Sequence, residues 1–148
     1  MGNLTKHFTL EELIYSSTAI VRNIDNTPSP EIIKNLTTLS ISLEAIRALL
    51  GKPIKISSGY RCLALNEALG SASKTSAHMQ GRAADIKVVG MTPYEVCMAL
   101  KDSGIVYDQL VCEPSWTHFG ISLSAPRKQV LTMKRINGKT VYLQGILE

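Results

Sequence analysis

Aromatic residues make up only 5% of this 148-residue chain, and its 16 lysines and arginines are scattered rather than striped. A stacking platform for single-stranded nucleic acid is therefore not expected. Cysteine is sparser still. Cys62, Cys97 and Cys112 are odd in number and form no CxxC pair, so they read as small buried residues of a protein kept in a reducing compartment. No apolar run approaches the roughly 18 residues a membrane span needs. The opening MGNLTKHFTLEELIYSS carries charges where a signal peptide keeps its apolar core, so no Sec signal is expected. Lys6 occupies the position at which a myristoylation pattern needs Ser or Thr. Internal repeats, linkers and low-complexity tracts are also missing. What remains is a composition of 45% hydrophobic and 19% charged residues, which fits one domain over 1–148 with a core of its own. The net charge of +4 and pI near 9.0 suit an anionic partner such as nucleic acid or a bacterial wall. A nucleic-acid reading rests on that charge alone and is not expected.

Thr9 followed by Glu12 is a capping-box signature for a short helix in FTLEELIYSSTA. After the turn-rich NIDNTPSP, Ile32, Ile33, Leu36, Leu39, Leu43, Ile46 and Leu50 recur at spacings of three and four. They predict one helix from Pro30 to the stop at Gly51. KPIKISS reads as a strand, GYR as a turn, CLALNEALG as a short helix, SASKTSAHMQGR as a polar loop and AADIKVVG as a strand. MTPYEVCMALKDSG has Thr92 as cap, Pro93 at the first helical position and Glu95 closing the box. Four strands follow: VYDQLVCE, THFGISL, QVLTMKRI and KTVYLQG. Asn137-Gly138 is a hairpin signal between the last two. Helices first and strands later predict an α+β fold, with N-terminal helices packed on a mainly antiparallel sheet.

Only three histidines occur, and His78 stands seven positions before Asp85 in SAHMQGRAAD. Taken alone, that pair reads as a surface histidine and a strand-edge aspartate. His118 begins a strand after PSWT. A hairpin over those four residues would set Glu113 directly opposite His118 on one face, with Gln109 and Val111, and turn Asp108 and Cys112 to the other. Two imidazoles and one carboxylate would leave a fourth position open, the layout of a catalytic zinc. A further carboxylate could then take the proton of the attacking water. Arg61, on the turn after IKISS, is a candidate for steadying an oxyanion or a substrate carboxylate. Each of these residues also has an ordinary structural reading.

The combination SSGYR, SAHMQGRAAD and EPSWTH resembles the zinc D-alanyl-D-alanine carboxypeptidase family, whose fold is shared with the hedgehog signalling domain. The family signature SxHxxGxAxD is matched at Ser76, His78, Gly81, Ala83 and Asp85, and the closing Trp-x-His at Trp116 and His118. The opening helix, long helix and ISSGYR look like the small single-domain, endolysin-type branch. The resemblance implies a hedgehog/DD-peptidase-like fold and one Zn2+ held by His78, Asp85 and His118. It also implies Arg61 as the anion-stabilising and substrate-binding arginine and Ser76 as a substrate-orienting residue. The family base stands three residues before the last histidine, where this chain has Ser115; the nearest carboxylate is Glu113.

The implied function is a zinc metallopeptidase cleaving peptidoglycan stem peptides, as a D,D-carboxypeptidase or an endopeptidase of phage endolysin type, with zinc-bound water attacking the peptide carbonyl. Its partner would be bacterial peptidoglycan. A monomer would accumulate in the cytoplasm until released by lysis or exported without a signal. The alternative is a non-catalytic, zinc-containing cell-wall-binding or phage structural module of the same fold.

Overall fold

The computed structural model describes residues 2–71 and 76–148. The expected opening helix is two. Helix α1 (Leu10–Ile14) starts from the Thr9–Glu12 capping box, and α2 (Ser17–Val21) from Ser16, whose hydroxyl accepts from the Ala19 N–H. Between them Tyr15 is extended, at ψ 135°, so Ser16 can recap the chain in a new direction. Helix α3 (Pro30–Leu50) runs as the periodicity predicts, from the Ser29 cap to Gly51 in the left-handed conformation at φ 63°. Its stripe of Leu36, Leu39, Leu43 and Ile46 is fully buried. At roughly 1.5–3 kcal/mol for each such side chain, this stripe is the main hydrophobic anchor of the helix.

Strand β1 (Ile54–Ser58), α4 (Leu63–Ala68) and β2 (Ala83–Val88) follow, with a 3-10 turn, Ala77–Gln80, ahead of β2. That turn occupies part of the stretch expected to be a polar loop; residues 72–75 of the same stretch lie outside the described residues. Then come α5 (Pro93–Lys101), with its Thr92–Glu95 box, β3 (Gln109–Cys112), β4 (Thr117–Gly120), β5 (Gln129–Ile136) and β6 (Lys139–Gln144). Asn137 and Gly138 both have positive φ, 53° and 77°, as the tight β5–β6 turn requires.

The six strands form one sheet in the order β1-β2-β4-β3-β5-β6. Every pairing is antiparallel except β3 with β5. The α+β class expected from the sequence is what the chain adopts, with one parallel pair added by the crossover from β4 to β5.

Alternation sorts the two faces of the sheet. Ala84, Ile86, Leu110, Cys112 and Phe119 point into one core with Leu13 of α1, the α3 stripe, and Val96, Cys97 and Leu100 of α5. Asp85, Val111 and His118, registered side by side, point the other way. No helix among the described residues is long and apolar enough to cross a membrane.

Candidate metal centre

His78 sits on the 3-10 turn, capped by Ser76, whose hydroxyl accepts from the His78 N–H at 3.3 Å. Gly81 ends the turn at φ 70°, and a Cβ there would press on Ile32 of α3 at 3.0–3.1 Å. Only glycine lets the chain reverse this close to the long helix. The fully buried Ala83 and Ala84 then lead straight to Asp85, three residues into the central part of the sheet.

Across the β2–β4 ladder Asp85 is paired with His118. Its Oδ1 is 3.1 Å from His118 Nδ1 and 3.4 Å from His78 Nε2, and the two rings meet edge to face at 5.2 Å. The other nitrogen of His78 is already committed: Nδ1–H donates to the Gly59 carbonyl at 2.8 Å. Burial, with only 3% of the residue exposed, lowers the pKa of His78 even against the pull of Asp85, which favours a neutral ring. A neutral ring protonated at Nδ1 aims the Nε2 lone pair at a carboxylate oxygen, and a cation between them is what makes that approach favourable. Asp85 is held well below the usual carboxylate range. Burial alone would raise it, but the two imidazoles beside it, with His118 Nδ1 at hydrogen-bonding distance, outweigh that.

The donor set fits a metal. The ligand atoms of His78, Asp85 and His118 all lie within 4.8 Å of one another. A tetrahedral zinc with bonds of about 2.0–2.1 Å sets its donors about 3.3 Å apart. The two Asp85 separations of 3.1 and 3.4 Å bracket that edge. The Gly59 carbonyl behind His78 is the kind of outer partner that fixes tautomer and ring orientation.

The centre lies in an open cleft of about 670 Å3, lined also by Arg61, Ser76, Glu113, Trp116 and Tyr142. Arg61 follows the bulge between Ile56 and Ser58 and the turn at Gly59. A Cβ on Gly59 would collide with the Leu13 carbonyl, which accepts from the Tyr60 N–H at 2.7 Å. Asn26 fastens the same turn. Its amide donates to the Ile14 and Tyr60 carbonyls at 2.9 and 3.0 Å, and its oxygen accepts from the Cys62 N–H at 2.8 Å. The buried Arg61 Nε has no hydrogen-bond partner among the described residues. Burial lowers the pKa of Arg61, while Asp85 and Glu113 pull it back up.

Glu113 is not directly opposite His118. The β3–β4 turn is tighter than the sequence suggested. The Glu113 N–H donates to the Trp116 carbonyl at 3.1 Å, so only Pro114 and Ser115 form the bend, and His118 pairs with Val111. Glu113 still shares the face of His118, one pair along, because two residues of slip preserve the alternation. Its carboxylate accepts from Trp116 Nε1 at 2.6 Å. Burial, then repulsion from Asp85, raises its pKa.

Asp108 also lines this cleft, contrary to the alternation expected of a strand spanning 106–113. It precedes β3, which starts at Gln109, so the strand rule does not reach it. Its carboxylate holds Arg127 through Nη2 at 2.8 Å and Nε at 3.1 Å. Among the described residues the three cysteines are free thiols, with Cys97 and Cys112 buried and Cys62 half-buried.

Asn26 and Tyr142 carry no local signal of a role at this site. Asn26 shows only as one more polar residue in a turn-rich segment.

Searching curated proteins yields no significant match. The Peptidase M15 family model, describing metal-dependent peptidases, matches residues 6–120, which include α1 through β4 and every residue that converges on Asp85. With the sheet, the His78–Asp85–His118 cluster and this match in agreement, the chain belongs to the Peptidase M15 family.

Proposed function

We propose that this chain is a zinc-dependent peptidase that cuts stem peptides of bacterial peptidoglycan, as a D,D-carboxypeptidase or an endopeptidase of endolysin type. The observation that carries the reading is the approach of two imidazole nitrogens to Asp85 Oδ1 in a chain of the M15 family. His78 Nε2, Asp85 Oδ1 and His118 Nδ1 would hold the ion and leave its side toward the cleft open. Zinc bound there supplies Lewis acidity and brings the pKa of water down to about 7.

Glu113, on the same sheet face, accepts the proton of the attacking water and returns it to the leaving amine. Its raised pKa suits a group that must both take and give a proton. Arg61, which lines the cleft, offers its guanidinium to the developing oxyanion or to a substrate carboxylate. Ser76 presents its hydroxyl at the rim of the cleft while capping the turn that carries His78. The +4 charge favours an anionic wall, which the protein would reach after lysis or signal-independent export, acting as a monomer.

Metal analysis of purified protein, combined with mass spectrometry of defined muropeptides after incubation, tests this. One zinc per chain and a single released fragment are expected. A zinc-loaded protein that leaves every muropeptide intact would exclude catalysis. The bond between Glu113 and Trp116 Nε1, and Ser115 at the usual position of the base, favour a second reading as a zinc-containing wall-binding or phage structural module. That module would retain peptidoglycan in a pull-down without releasing fragments.

A further inference from the structure

The family match ends at residue 120, yet the sheet continues with β5 and β6 on the far side of β3. This added hairpin reaches the centre through the register. Asp85 pairs with His118, His118 with Val111, and Val111 with Leu131, so one row crosses β2, β4, β3 and β5 on the cleft face. Met133 lies two residues beyond Leu131 on that face, and its partner across the β5–β6 ladder is Tyr142. One step past the Cys112–Thr132 pair, the parallel register brings Glu113 beside Met133. Tyr142 is thus two strands from Glu113, about 10 Å between backbones.

We propose that the terminal hairpin is the substrate-selecting wall of the cleft, and that Tyr142 is its contact residue. The ring packs on the bound peptide, and the hydroxyl hydrogen-bonds its backbone beside the bond that Glu113 serves. This rests on the peptidase reading above and adds a residue to it.

Three observations support the assignment. Tyr142 lines the same cleft as His78, Asp85 and His118, although it comes from an edge strand outside the matched segment. More than half of its surface, 56%, stays exposed, so the ring is available to a ligand rather than spent in the core. After burial, the charges of Glu113 and Asp85 are what raise the pKa of its phenol, which places that group within their electrostatic reach. A tyrosine combines a rigid apolar face with a polar tip, and this suits a peptide lying along an open groove.

The test uses the full zinc-loaded chain and a stem pentapeptide ending in D-Ala-D-Ala or, if that is not cut, whichever muropeptide is. Tyr142→Phe should lower kcat/KM by about tenfold through loss of one hydrogen bond. Tyr142→Ala should lower it by about a hundredfold. Zinc content and melting temperature should match the parent protein. Val141→Ala, on the opposite face of β6, controls for the hairpin as a structural element and should stay within about twofold. Calorimetric titration with the same peptide adds a readout besides turnover, with Tyr142→Ala expected to weaken Kd at least about tenfold.

Tyr142→Ala within about twofold of the parent in both measurements overturns the proposal. So does Val141→Ala losing as much as Tyr142→Ala. Peptide bound but not cut removes the hydrolase reading alone, and the Kd comparison then decides Tyr142. A chain without affinity for any muropeptide overturns both.

Discussion

His78 gives its Nδ1 proton to the Gly59 carbonyl at 2.8 Å, which ties the first histidine of the candidate metal centre to a turn nineteen residues earlier. The same glycine lies against the Leu13 backbone with no room for a Cβ. Gly59→Ala must therefore push the turn away from α1 and carry the carbonyl off His78. The expected result is a loss of about 2–3 kcal/mol in stability. Zinc affinity should fall about 10- to 100-fold, the usual effect of losing an outer-shell partner. Urea unfolding and competition with a chromophoric chelator measure the two effects separately.

Metal removal should show in the melt. An ion bound only by the folded chain stabilises it by RT ln(1 + [L]/Kd), about 2.7 kcal/mol at a hundred times Kd, or several degrees for a domain of this size. The shift on adding zinc to chelator-treated protein should vanish in Asp85→Ala, since Asp85 is the carboxylate both rings approach. An unchanged shift would place the zinc elsewhere.

Glu113→Gln keeps the shape of the side chain and an acceptor for Trp116 Nε1 but removes the base. Turnover should fall by a factor of about 10²–10⁴. Zinc content and the melting temperature should not change, because Glu113 is outside the three-residue cluster. Retained turnover would point to another base, or to water held by Ser115.

Asn26 makes three hydrogen bonds that join the end of α1 to the turn carrying Tyr60 and Arg61. Asn26→Ala leaves the Ile14 and Tyr60 carbonyls and the Cys62 N–H without that partner. A cost of about 2–3 kcal/mol is expected, lowering the melting temperature by roughly 5–10 °C. Circular dichroism melts of the two proteins decide it.

What the sequence made readable was mostly local. The two capping boxes, the α3 stripe and the Asn137-Gly138 turn each depend on residues a few positions apart, so their chemistry is written in order along the chain. His78, Asp85 and His118 were readable because their spacing matches a signature rather than because any local rule demands it. The Glu113 register is hidden in the sequence because a bend of Pro114 and Ser115 and a bend of four residues look alike until pairing decides. Asp108 escapes the alternation because the strand starts one residue after it. The split of the first helix depended on Ser16 acting as a second cap, which a short polar stretch does not announce. Asn26, Gly59 and Tyr142 act across 19 to 36 residues or across strands, and sequence periodicity is silent about such contacts.

The pair of Asp108 and Arg127 predicts a pH dependence. Hydrogen bonds from Arg127, Nη2 at 2.8 Å and its own N–H at 2.9 Å among them, depress the Asp108 pKa below the usual carboxylate value. A group whose folded pKa is depressed binds protons more weakly folded than unfolded. Its contribution is therefore fully present above the unfolded value of about 3.9 and disappears as pH falls through the folded value. The Arg127 side chain is 60% exposed, so screening limits the effect to about 0.5–1 kcal/mol. Arg127→Ala should be less stable than the parent at pH 7, and the gap should narrow steadily as pH drops below about 4. Urea titrations at pH 7, 4 and 3 would reveal this. A gap that widened toward acid would mean that Asp108 is stabilised by something other than Arg127.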